Sequence, residues 1–203
     1  MMWASPKSCQ PAGTLVVAVA GVAGSGKTTL GRALAAALRA PLLDLDSLTN
    51  PLLDRLPADA LGGHWLTSPH RSAIRDGRYA ALRAVTRDTV ETAGGAVLVA
   101  PFTAELRGGE PWDLLCQAVG AVELRVVHID GKPDLFAARR AGRSEERDRH
   151  RLPEPPSAPP AIPVLTVDGG LPAEQQLRFV LAALDGAPAS TCEPTRHPPA
   201  TKA

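Results

Sequence analysis

Short apolar runs alternate along the chain with longer stretches in which apolar residues recur every three or four positions. Glycine and proline separate the two kinds. Thr14 to Ala20 is a Val-rich apolar run, the pattern of a strand buried on both faces. Leu30, Leu34 and Leu38 then share one face of a helix that Pro41 closes. Leu42 to Leu45 predicts a second short strand, residues 47 to 56 a short helical element, and Pro69 to Thr92 a longer helix carrying Ile74, Leu82, Val85 and Thr89. Gly94-Gly95 breaks the chain before a third strand, Ala96 to Ala100. A helix at Trp112 to Val119, a strand at Val122 to Ile129 and a helix at Pro133 to Ala141 follow. Ile162 to Val167 predicts a fifth strand and Pro172 to Leu184 a last amphipathic helix.

Strands alternating with helices predict an α/β protein, a three-layer α/β/α sandwich around a mainly parallel five-stranded sheet. Right-handed crossovers bring all the C-terminal strand ends to one edge, where ligands of such folds bind. Residues 1–13 read as a flexible N-terminal arm, 14–185 as the domain and 186–203 as a Pro-rich disordered tail with Pro188, Pro194, Pro198 and Pro199.

That edge carries the chemistry. Gly21-Val22-Ala23-Gly24-Ser25-Gly26-Lys27-Thr28 fits GxxxxGK[ST] between a predicted strand and a predicted helix, the context the motif requires. Its glycines let backbone N–H groups approach phosphates, and the helix adds the positive end of its dipole. Lys27 is the candidate for the β- and γ-phosphates and Thr28 for magnesium, with Thr29 in the same nucleotide-binding stretch. The expected cofactors are ATP and Mg2+.

Asp44 and Asp46 end the second strand. Alternation along an extended segment puts both on one side, so one carboxylate can serve the magnesium shell and the other can accept a proton from an attacking hydroxyl. Asp46 also fits as the N-cap of the helix that follows. The third strand carries no closing acid: Val97-Leu98-Val99-Ala100 runs into Pro101-Phe102-Thr103. The metal role therefore moves to Asp44 and the proton-accepting role to Asp46. Residues 47–93 are the expected acceptor-binding segment, with His64, Trp65, His70, Arg71, Arg75, Arg78 and Tyr79 as candidates either for a pocket or for packing and a wet helix face.

GVAGSGKTTL at 21–30, LLDLDSLTNPL at 42–52, VLVAPFT at 97–103 and FAARRAGRSEERD at 136–148 together resemble the small P-loop kinases of the gluconate kinase, shikimate kinase and chloramphenicol phosphotransferase group. They are similar, more closely, to AAA-type ATP-binding kinases of bacteria. The resemblance implies a nucleoside-kinase-like P-loop fold and a phosphotransferase with an alcohol group as acceptor. It implies a lid at about 139–160, with Arg139, Arg140, Arg143 and Arg147 as its arginines and Arg139 and Arg143 as catalytic candidates. It also implies that the adenine ring lies near Asp168. The alternatives are a nucleotide or nucleoside kinase, or a regulatory or toxin-like ATP-binding protein acting on a macromolecule.

Charge narrows the partners. A formal charge of +1 over 203 residues does not fit dedicated nucleic-acid binding. Cys9, Cys116 and Cys192 are odd in number and widely spaced, which predicts neither a disulfide framework nor a zinc site and fits a reducing cytoplasm. Leu15 to Ala23 reads better as a buried strand entering a phosphate loop than as a signal-peptide core. No membrane span is expected, and the chain is expected to act as a monomer or homodimer on a small hydroxylated acceptor.

Overall fold

The computed structural model describes residues 15–142 and 158–186. The N-terminal arm, most of the expected lid with Arg143 and Arg147, and nearly all of the Pro-rich tail lie outside the described residues. Five strands form one sheet: β1 (Leu15–Ala20), β2 (Leu42–Asp44), β3 (Ala96–Val99), β4 (Glu123–Asp130) and β5 (Leu165–Asp168). Their order is β2-β3-β1-β4-β5, and every neighbouring pair is parallel. The helices are α1 (Lys27–Leu38), α2 (Leu45–Leu53), α3 (Ala58–Leu61), α4 (Arg71–Ala93), α5 (Glu110–Val119), α6 (Pro133–Ala141) and α7 (Ala173–Gly186), with a 3-10 turn at Glu105–Arg107.

Alternation along the strands feeds two apolar layers. Val16, Ala18, Leu98 and Val126 face one side, where they pack with Tyr79 and Leu82 of α4 and Leu115 and Val119 of α5. Val17, Val19, Val97, Val99 and Val127 face the other, against Leu30 and Leu34 of α1 and Val180 of α7. With both faces covered, β1 is buried from Val16 onward, which is why it reads as an unbroken apolar run. The α1 helix lies very close to the sheet at Gly31, where a Cβ would sit 2.3 Å from Val99 Cγ2.

Three sequence expectations shift. The second strand stops at Asp44 instead of Leu45, because the Asp44 carboxylate caps α2 by accepting from the Asp46 and Ser47 amides. Asp44 is the N-cap and Asp46 lies in the first helical turn, so the pair does not sit on an extended strand. The fifth strand begins at Leu165 instead of Ile162, since Pro163 has no N–H for the ladder. Cys116 on α5 is disulfide-bonded, against the expectation from cysteine spacing.

Candidate functional site

The phosphate loop spans the gap between β1 and α1. Gly21, Gly24 and Gly26 hold φ values of 150°, 82° and 97°, conformations that disfavour any side chain. Space reinforces backbone at two of them. A Cβ on Gly21 would lie 2.7 Å from Ser25 Oγ, and one on Gly24 would lie 2.4 Å from the Phe136 carbonyl oxygen. Around Gly26, by contrast, nothing lies within 4 Å of the added atom. Gly26 is the N-cap of α1 and no side chain caps this helix, so its first amides are left to an anion. Lys27 Nζ curls back to donate to the Val22 carbonyl at 3.3 Å, and the buried Ser25 hydroxyl finds no partner among the described residues. Thr29 stands exposed on the first turn of α1.

Thr28 Oγ1 donates to Asp44 Oδ2 at 3.1 Å, which joins the last residue of the loop motif to the end of β2. Asp44 is buried, and its other oxygen is held by the α2 amides. Hard oxygen donors of this kind suit magnesium, which commonly takes one or two protein oxygens and completes its shell with phosphate and water. Among the described residues no group of three or more His, Cys, Asp or Glu side chains could form a closed metal cage. An open cradle, uncapped helix amides, a lysine folded over the loop and the Thr28–Asp44 pair together fit a magnesium-bound nucleoside triphosphate.

Next to the cradle, α2 and α4 carry a network of side chains. Arg78 Nη2 contacts Asp46 Oδ1 at 2.6 Å and Asn50 Oδ1 at 3.0 Å, while its Nε donates to Thr49 Oγ1 at 2.8 Å. The guanidinium also lies 4.9 Å from the centre of the Trp65 ring, whose Nε1 donates to Asp54 Oδ1 at 2.8 Å. Trp65 is only 5% exposed, so it packs beneath Arg78 and does not line an open pocket. One helical turn earlier, Arg75 covers Tyr79 at 4.4 Å and reaches Glu105 Oε2 at 3.5 Å. The Tyr79 hydroxyl accepts from the Phe102 amide at 3.0 Å, and Phe102 has a φ of 52°, rare for a side-chain-bearing residue.

Burial governs ionisation here. It raises the Glu105 carboxyl above the usual carboxylate range, an effect that Arg75 partly opposes. It also holds the Tyr79 hydroxyl far above the usual phenol range, with the Glu105 charge adding to the shift. His128 on β4 is lowered from its ordinary value by burial, against the pull of Asp130.

The α6 helix closes the opposite side. Phe136 fills a slot that only glycines leave open, since a Cβ on Gly131 or Gly169 would lie within 2.8 Å of its ring. Arg140 Nη1 donates to the Ala23 carbonyl of the phosphate loop at 2.8 Å, and Arg139 Nη1 donates to the Gly169 carbonyl after β5 at 2.8 Å. Of the two, it is Arg140 that reaches the loop, while Arg139 braces the turn after β5. Asp168 closes that same turn by accepting from the Gly170 amide at 2.7 Å.

The structure thus brings together Lys27, Thr28, Asp44 and the loop glycines, with Asp46 two residues along α2. Arg143 lies outside the described residues. Arg78 as the partner of Asp46, and Glu105 under Arg75, were not singled out from sequence, and Tyr79 was named only among the residues of the acceptor segment. The spacing of Arg71, Arg75 and Arg78 at i, i+4 and i+7 is the signal that pointed to this helix face.

Comparison with known proteins bears on the family and the fold. The family model described as AAA domain matches residues 16–155. A gluconokinase from Sinorhizobium meliloti 1021 superposes with a TM-score of 0.54 at 21% identity, over 87% of this chain and 93% of its own. A sugar kinase from a Janibacter species gives 0.57 at 18% identity, over 85% and 95%. A shikimate kinase from Aquifex aeolicus gives 0.50 at 18% identity, over 84% and 96%. No curated protein matches the sequence significantly. At such identities the likeness carries the fold, which is the nucleoside-kinase-like P-loop fold of small kinases.

Proposed function

The chain belongs to the AAA domain family, and on that premise we propose that it is an ATP- and magnesium-dependent phosphotransferase acting on a hydroxyl of a small molecule. One observation carries the reading. The Thr28 hydroxyl and the Asp44 carboxylate meet at 3.1 Å directly after the phosphate loop, with Asp46 in the next turn of chain. A loop that only bound nucleotide would need the cradle, but not a second carboxylate held beside it by an arginine. Neighbours named as a gluconokinase, a sugar kinase and a shikimate kinase support a small acceptor.

In this reading the loop amides and Lys27 hold the β- and γ-phosphates, and Thr28 and Asp44 hold magnesium. Magnesium, when bound, offsets the charge that gathers on the phosphate oxygens. The acceptor hydroxyl oxygen forms a bond to the γ-phosphorus as the bond from that phosphorus to the β,γ-bridging oxygen breaks. The hydroxyl proton passes to the Asp46 carboxylate and ADP leaves. Arginines of α6 and beyond, Arg139, Arg140 and Arg143, are the candidates for donating to the transferring group, and Asp168 and Gly169 are the candidates for contacting the base of the nucleotide.

The test is ADP release from magnesium-ATP across sugars, sugar acids, polyols, nucleosides and hydroxylated antibiotics, with Lys27→Ala as the blank. Acceptor-dependent release that vanishes in the blank is the expected result. ATP binding with no acceptor raising turnover would overturn the reading.

A further inference from the structure

One guanidinium ties together three parts of the acceptor side. Arg78 bonds Thr49, Asp46 and Asn50 of α2, is itself carried on α4, and lies on the Trp65 ring from the segment between α3 and α4. The α4 helix is anchored next to it by the buried Tyr79 and Leu82. Trp65 is pinned in turn by Asp54. Three hydrogen bonds and a stacking contact leave the guanidinium a single placement, since any swing breaks several of them at once.

Asp46 is consequently gripped at both ends. Its backbone amide donates to Asp44 Oδ1 at 2.9 Å, and its side-chain Oδ1 meets Arg78 Nη2 at 2.6 Å. The first contact ties it to the carboxylate beside Thr28, and the second sets the direction of its own carboxylate. With its charge matched by Asp46, Arg78 has no unbalanced charge to offer an acidic acceptor.

We propose that Arg78 is the positioning residue for Asp46: it aims that carboxylate at the acceptor hydroxyl and does not itself anchor a charged group of the acceptor. The inference rests on the reading of Asp46 as the proton-accepting group. A misplacement of a reacting group by about 1 Å costs on the order of 10²-fold in rate, so loosening Arg78 should act on kcat.

The experiment measures kcat and KM for ADP release from magnesium-ATP in the full chain, with D-gluconate, D-glucose and glycerol as acceptor probes. Arg78→Gln and Arg78→Lys are compared in the wild-type and Asp46→Asn backgrounds. The expected result for Arg78→Gln is a kcat lowered by about 10²-fold, with both KM values within about threefold of wild type. Arg78→Lys keeps the charge but loses the planar fork, so it should recover only part of the loss. In the Asp46→Asn background Arg78→Gln should cost less than about threefold, because the two residues act as one unit. Should Arg78→Gln fail to fold, Thr49→Val removes one of the bonds that hold the guanidinium and should lower kcat with KM unmoved.

Two results would overturn the role of Arg78 alone. One is an acceptor KM raised tenfold or more with kcat intact, which would make Arg78 an acceptor anchor. The other is an undiminished loss in the Asp46→Asn background. Wild-type protein that releases ADP with none of the probes, nor with any acceptor of the wider panel, would overturn the phosphotransfer reading and this role with it.

Discussion

On the proposed nucleotide side, eight consecutive residues running from the end of β1 into the first turn of α1 make the cradle, largely from backbone: three glycines at positive φ, an uncapped helix start and one lysine. On the proposed acceptor side, Asp46, Thr49, Asn50, Trp65, Arg75, Arg78 and Glu105 are joined through side chains drawn from α2, α4 and the segments after α3 and β3. Backbone amides recognise phosphate whatever the rest of the ligand is, so a contiguous loop suffices. A hydroxyl acceptor has no such common denominator, so a site for one depends on which side chains the helices happen to bring together.

The sharpest way to break the comparison is at Lys27. Lys27→Ala should lower phosphoryl transfer by on the order of 10³-fold or more and weaken ATP binding, because it removes the positive side chain that the loop itself brings to a largely backbone-built site. Titration calorimetry with ATP, read beside turnover, checks it, and normal ATP affinity would deny Lys27 its place on the phosphates. A smaller effect is expected at Gly31, which belongs to the nucleotide side through packing alone. Gly31→Val would drive its side chain into Val99, so it should destabilise the fold by about 1–3 kcal/mol in urea unfolding. An unchanged midpoint would show that α1 can shift off the sheet freely.

The smallest effect is expected on the acceptor side, at Glu105. Burial raises its carboxyl in the folded chain, whereas in the unfolded chain it titrates at its ordinary value. Between those two values the folded state holds a proton that the unfolded state has released. Stability contributed by the protonated form is therefore present at low pH and lost as pH rises from the ordinary carboxylate value through the raised one. Glu105→Gln should remove that decline, so the difference in Tm between wild type and variant should change with pH in this window. A constant difference would mean that Arg75 cancels the effect of burial.

How much of this could be read beforehand follows the same division. The loop, its flanking strand and helix, and the order of alternating elements were legible because each signal lies within a short contiguous window. Asp44 and Asp46 were recognised as a pair, but the reasoning assumed an extended strand. The capping bonds of Asp44 instead start a helix at Leu45, and it is Arg78 that contacts the Asp46 carboxylate. That partner is 32 residues further along the chain, one of three arginines at helical spacing, and nothing in the sequence says which of them turns inward. Glu105 stands beyond the end of β3 in a segment turned by the positive φ of Phe102, a conformation the residue type does not announce. Arg140 was named only as one of four lid arginines, and its bond to the Ala23 carbonyl depends on α6 folding back against the loop across 117 positions.

The central claim is that the two sides are separable, one binding ATP and the other directing its γ-phosphoryl to a hydroxyl. Asp46→Asn tests it most directly, since it keeps the shape of the side chain and removes the proton-accepting carboxylate. ATP affinity and acceptor-dependent turnover are measured on the same preparation. The account predicts ATP affinity within about threefold of wild type and turnover lowered by about 10²-fold to 10⁴-fold. Turnover that survives the substitution, or ATP affinity that falls with it in proportion, would contradict the account.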